Sequence, residues 1–341
     1  DEQIMLRNEL DVISDTASIL LDSAYFETNN ISDITSAEII ELFNTISHSK
    51  LITTMLPLGI EVGSEMFDTP IEVPVDELYA IDWEAELQTL GSVVAVGFSL
   101  VNAAGILNDE TDLTTVTLDG AEVKGLFDSL ADSELATLGA YVAITPLLEQ
   151  AGTDISSIIT VPADIVWADE FEAFGLVAEA VLNTDITMSD LQSGDPTILL
   201  AALSDLDFTV LLNSEIVTNA LINILSGEAG ITGLDMIIIP DGIVWLDVFD
   251  ENGLLVSSGE LFNILTAINE ITTVAAGFDF NNISLDVIAD FDDATIDALF
   301  DSQILVASIS TFILDMDLGT TPLIIPDSAL DAEGNITSVE L

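Results

Sequence analysis

The sequence predicts a mainly helical protein with short β-strands, an α+β chain built from four tandem copies of a helical unit of about 85 residues. Two recurring anchors and one periodicity predict it. The first anchor is a Leu-Phe/Leu-Asx-Ser/Thr tetrapeptide beginning at Leu42, Leu126, Leu211 and Leu299, at spacings of 84, 85 and 88 residues. The second is a β-rich tripeptide ending in proline at Pro74, Pro162, Pro240 and Pro326. Tyr79, Trp167 and Trp245 stand five residues beyond the first three prolines, and Asp331 beyond the fourth. The periodicity is the helical spacing of apolar residues between anchors.

Each unit opens with a long helix. Ile4, Leu6, Leu10, Ile13, Ala17, Leu20 and Leu21 mark the first one, and Trp83, Leu87, Leu90, Val94, Phe98 and Val101 the second. A second helix follows a polar linker, and in the first unit Thr35 and Glu38 have the spacing of a capping box. The anchor's Asx and Ser/Thr are placed to break that helix and cap a third, as before Ile304, Ile309 and Ile313. The proline tripeptide reads as a short edge strand, because proline has no N–H for a ladder. Asp250-Glu251-Asn252-Gly253 and Asp331-Ala332-Glu333-Gly334 have the chemistry of tight hairpin turns.

These elements divide the chain at 1–81, 82–168, 169–252 and 253–341, the last ending where a further unit would begin. No Pro/Gly/Ser-rich linker separates the units, which favours a packed, solenoid-like array over bead-like domains.

Composition excludes several function classes. The chain has 61 acidic and 3 basic residues, a net charge of −58, and half its residues are apolar. Nucleic acid and anionic membrane surfaces both require Lys and Arg in number. The mean hydropathy of +0.56 argues for a folded core over disorder. The longest uncharged run, Leu87 to Asn108, has acidic flanks and contains Gln88, Ser92, Ser99 and Asn102. It reads as a buried core helix, so no membrane span is expected. With Arg7, Lys50 and Lys124 as the only basic residues, trypsin-like proteases have few places to cut, which suits an extracellular location.

No phosphate loop, dinucleotide fingerprint or nucleophile elbow is present, and His48 is the only histidine. The chain is therefore expected to be no enzyme. Ca²⁺ is the cation that carboxylate and amide oxygens suit best. Its candidate ligands are Asp247, Asp250 and Asn252 in one loop, and Asp331 and Glu333 with Glu340 in another. Neither loop has EF-hand spacing. Sequons occur at Asn30, Asn282 and Asn335.

The resulting expectation is a non-catalytic structural repeat protein of the cell exterior, part of a filament, stalk or surface layer. Its partner would be itself, head to tail or through a longer repeat chain. A surface adhesin binding protein or glycan, and an acidic calcium-binding protein, are the alternative roles.

Overall fold

A computed structural model describes residues 2–28, 30–64, 74–103, 119–151, 158–184, 206–226, 237–249, 255–274 and 293–315. Helices hold 80% of these residues and strands 1%. The α+β expectation is thus overturned. The described helices are α1 (Glu2–Asp22), α2 (Ala24–Thr28), α3 (Ser36–Ser47), α4 (Lys50–Ser64), α5 (Val75–Ala80), α6 (Trp83–Ala103), α7 (Gly120–Ala131), α8 (Glu134–Ala151), α9 (Trp167–Leu182), α10 (Glu215–Leu225), α11 (Glu260–Val274), α12 (Asp293–Asp301) and α13 (Gln303–Asp315). Short 3-10 segments occupy Ile31–Asp33 and Phe208–Asn213.

The strand error has a physical cause. The tripeptide residues 159–161 and 237–239 belong to no strand. Helix side chains meet part of their hydrogen-bonding need. Asn223 Nδ2 on α10 donates to Thr160 Oγ1 at 3.4 Å and to Ile158 O, just ahead of the tripeptide, at 2.9 Å, and Ile238 N donates to Ser308 Oγ on α13 at 2.9 Å. Ile71–Val73 and Leu323–Pro326 lie outside the described residues. The strands that do form, β1 (Val248–Phe249) and β2 (Leu255–Ser257), pair antiparallel on either side of residues 250–254.

Contacts divide the chain more coarsely than the four units. The chain divides into two compact units, one of residues 1–152, 161–183 and 187–189, the other of 153–160, 184–186 and 190–341. The Leu-Phe anchors do not mark equivalent places. Each third helix starts at a serine whose hydroxyl accepts the amide three residues on: Ser49 from Ile52, Ser133 from Ala136, Ser214 from Val217 and Ser302 from Leu305. Leu42 and Leu126 precede their serines by seven residues, whereas Leu211 and Leu299 precede theirs by three. The aromatic anchor slips in the same way. Trp83 and Trp167 both open a long helix and are both 5% exposed, whereas Tyr79 is exposed and donates its hydroxyl to Glu61 Oε2 at 2.8 Å.

In the first unit α1 lies against α3, α3 against α6, α6 against α7, and α7 against α9. The α3–α6 and α7–α9 crossings are close because each places a glycine under a phenylalanine. A Cβ on Gly91 would stand 2.6 Å from Phe43 Cβ, and one on Gly175 would stand 3.1 Å from Phe127 Cβ. Leu87, Ala95 and Leu100 of α6 are buried as expected, and no described helix is long and apolar enough to cross a membrane. The capping box is present, with Thr35 N donating to Glu38 Oε2 at 2.7 Å and Glu38 N to Thr35 Oγ1 at 3.2 Å. In the second unit the segment Phe208–Asn213 lies against α11, which also carries α12 and α13.

Gly91→Ala should destabilise the fold by about 1–3 kcal/mol through overpacking. Gly59→Ala in α4, where an added Cβ meets nothing within 4 Å, should stabilise by about 0.5–1 kcal/mol. Urea denaturation of the two variants checks the opposite signs.

Candidate functional site

The described residues contain one polar device that recurs: a glutamate on a long helix holding the N-terminus of a helix some forty residues farther on. Glu86 of α6 accepts Ser133 Oγ at 2.5 Å, Glu134 N at 2.9 Å and Leu135 N at 3.2 Å, all at the start of α8. Glu260 of α11 accepts the Ser302 hydroxyl, Gln303 N at 3.1 Å and Ile304 N at 2.9 Å at the start of α13. Glu9 of α1 accepts Ser49 Oγ at 2.5 Å and Leu51 N at 3.1 Å at the start of α4. The serine is both a cap for the third helical amide and a donor to the carboxylate, which takes amides of the first turn. Together the two side chains satisfy most of the donors that a helix start leaves open.

Glu86 and Glu260 are 3% and 2% exposed. A buried carboxylate is costly unless its charge is met by donors. Here the donors are a hydroxyl and two amides at the positive end of a helix dipole. Glu170 of α9 and Ser214 are buried as well, at 2% and 0%. At partly exposed Glu9 the hydrogen bond from Ser49 holds the carboxyl below its ordinary value of 4.5. Thr35, by its amide and then its hydroxyl, lowers Glu38 likewise. The Thr209 hydroxyl lowers Asp207, the cap of the Phe208–Asn213 segment.

The calcium expectation is not assembled by the described residues. Asp247 is the one candidate ligand among them, and its Oδ1 accepts Gly259 N at 2.6 Å just ahead of α11. Val244 O and Trp245 O take the next two amides, Glu260 N and Leu261 N, at 2.9 and 3.1 Å. Asp250, Asn252, Asp331, Glu333 and Glu340 lie outside the described residues. Among the described residues no three His, Cys, Asp or Glu side chains gather as a metal would need. His48 is exposed at the end of α3, its Nδ1 2.7 Å from Asn44 O. Trp167 is buried and Trp245 half-buried. Asn30 is exposed and caps the Ile31–Asp33 turn through Ser32 N; Asn282 and Asn335 lie outside the described residues.

The glutamates of the device were not singled out by sequence, because 61 acidic residues mask any three. A usable signal exists. Trp83 stands three residues before Glu86 and Gly91 five residues after it, and the buried Glu170 has the same neighbours in Trp167 and Gly175; Glu9 and Glu260 do not carry this signature. Chemically the device binds helix to helix; its carboxylates are occupied by protein donors. The sequence matches no family model, no curated protein and no solved structure.

Glu86→Ala leaves the Ser133 hydroxyl and two amides without their acceptor. At about 1–3 kcal/mol for each, thermal and urea unfolding should show a loss of at least about 3 kcal/mol. A second outcome concerns acid. A carboxyl whose folded pKa is lowered stabilises fully above its ordinary value, and that contribution is lost as pH falls through the folded value. Acid also relieves like-charge repulsion across the whole chain. Comparison at equal pH removes that shared effect. Thr35→Ala should therefore cost stability at pH 7, and the gap to wild type should narrow as pH falls below 4.5, the ordinary value for Glu38.

Proposed function

We propose that this chain is a non-catalytic structural protein of the cell exterior, a subunit or segment of an extracellular filament, stalk or surface layer. The observation that carries the reading is a pair of exposed apolar rows. Leu6, Leu10, Ile13 and Leu21 on α1 are 56–66% exposed, and Leu51, Met55, Leu58 and Val62 on α4 are 42–64% exposed. Rows of this kind mark association surfaces. A net charge of −58 opposes indiscriminate clumping, so only a contact in register overcomes the repulsion. The recurring Glu–Ser device supports the same reading, since it joins helices and leaves its carboxylates no freedom for chemistry. The scarcity of basic residues favours an exterior location, where resistance to trypsin-like cleavage is useful.

Sedimentation velocity with electron microscopy of the same samples tests this. The sedimenting species should grow with protein concentration and with NaCl as the Debye length shrinks from about 30 Å at 0.01 M to about 3 Å at 1 M. Electron micrographs should show elongated particles. A monomer at every concentration and salt would overturn the reading.

A further inference from the structure

We propose that the exposed face of α1 is half of a joint between two copies of this chain, and that the outer face of α12 on the second copy is the other half. The proposal rests on the structural role above and names the surfaces that perform it.

Three joints inside the chain share one plan. The element that ends just before a capping serine lies against a later long helix. α3, before Ser49, lies on α6; α7, before Ser133, lies on α9; and Phe208–Asn213, before Ser214, lies on α11. Positions within the joints also agree. An aromatic residue stands six places before each serine, at Phe43, Phe127 and Phe208. Phe43 and Phe127 sit over Gly91 and Gly175, each five places after its helix's buried glutamate. The residue nine places after the glutamate takes a hydrogen bond from the covering element in two joints. Ser36 Oγ donates to Ala95 O at 3.1 Å, and Phe208 N donates to Asn269 Oδ1 at 2.8 Å.

Among the described residues, α1 carries the same positions with no element over them. Counted from Glu9, Leu6 falls where Trp83 and Trp167 are, Leu10 where Leu87 is, and the small exposed residue Ser14 where Gly91 and Gly175 are. Trp83, Trp167 and Leu87 are 4–5% exposed, yet Leu6 and Leu10 are 62% and 56% exposed. The remaining capping serine is Ser302, and the helix before it is α12. Among the described residues α12 lies on α11 and α13. Its Phe300 is exposed, and Ile296 stands six places before Ser302, where Phe43 and Phe127 stand in the filled joints.

Charge points to the same occupant. Lys50, directly after Ser49, pairs across the first joint with Glu84 at 2.9 Å. Lys124 lies at the second joint, where its Cγ would be 3.3 Å from a Cβ on Gly175. There it binds Asp128, and Glu179 and Glu172 of α9 also raise its pKa. The third cation, Arg7, is on α1 at the position of Glu84, exposed and without an ion pair among the described residues. Opposite it, the residues flanking Ser302 are Asp301 and Gln303. Every cation of the chain is thus on a helix of this joint or directly after its capping serine, and the unpaired one lies at an open place to which α12 of another copy brings Asp301, with Gln303 at the position of Lys50.

The chain has no cysteine, so single thiols report contacts cleanly. S14C and I296C proteins, each verified as folded by circular dichroism, are mixed and oxidised. The joint brings the two Cβ atoms within reach of a disulfide. A disulfide-linked dimer of one S14C and one I296C chain is expected, in excess over either self-linked product. Dominant S14C self-linking, or no cross-link, would overturn the joint. Charge exchange supplies an independent arm. R7D and D301R should each weaken association about threefold, the order of one exposed ion pair, and the double variant should restore it. General repulsion would move the single variants in opposite directions, and that result would overturn the pairing. Wild-type assembly without the mixed cross-link sinks this joint and leaves the structural role standing; a wild-type monomer sinks both.

Discussion

The structure depends on how a chain with 61 acids and 3 bases joins its helices. Ion pairs cannot do it, because cations are too few. The donors left are hydroxyls, side-chain amides and backbone amides, and the richest source of free backbone amides is a helix N-terminus. Glu86 and Glu260 use that source fully, each taking a serine hydroxyl and two amides. The acid excess thereby becomes a means of connection. Residues 40, 47 and 42 positions apart in sequence are tied by the serine hydroxyls at Glu9, Glu86 and Glu260.

The long helices consequently reach in two directions. α6 holds the later helix α8 through Glu86 and receives the earlier helix α3 at Gly91. α11 holds α13 through Glu260 and receives Phe208 N at Asn269. The two contacts differ in chemistry. The forward one is polar and capped; the backward one seats a phenylalanine over Gly91 or Gly175 and adds a hydrogen bond at Ala95 or Asn269. Overpacking at the crossing and loss of an acceptor at the cap are different kinds of damage, and each disturbs a separate neighbour.

The helices were legible in the sequence because their apolar spacing and caps are local. The capping box at Thr35 and Glu38 and the helix starts at Ser214 and Ser302 follow from side-chain chemistry within four residues. Register was illegible for a helical reason. A slip of four residues is close to one turn of 3.6, so Leu42 and Ile46, or Tyr79 and Trp83, present nearly the same face to a pattern search. The strands were misread because β-branched residues favour extended backbone, while a ladder needs a partner. Asn223 and Ser308 supply side-chain hydrogen bonds instead. The buried glutamates were hidden by number, since burial distinguishes them from the other acids and sequence does not report burial.

Directionality has a consequence for assembly. The backward contact always joins an element ahead of a capping serine to the flank of a long helix, so its two halves are different surfaces. Surfaces that differ pair two-fold only when each copy's half meets the other copy's at the same time. In every other case they join head to tail, and such a contact makes a closed ring only if its rotation returns to the start; otherwise it makes an open fibre. Charge sharpens this constraint. Like-signed helices approach at every joint, and two of the chain's three cations stand at such approaches, Lys50 opposite Glu84 and Lys124 beside Gly175. Exposed pairs of this sort add little stability by themselves. Against a background of −58, such a pair lowers repulsion in one register and leaves it in all the others.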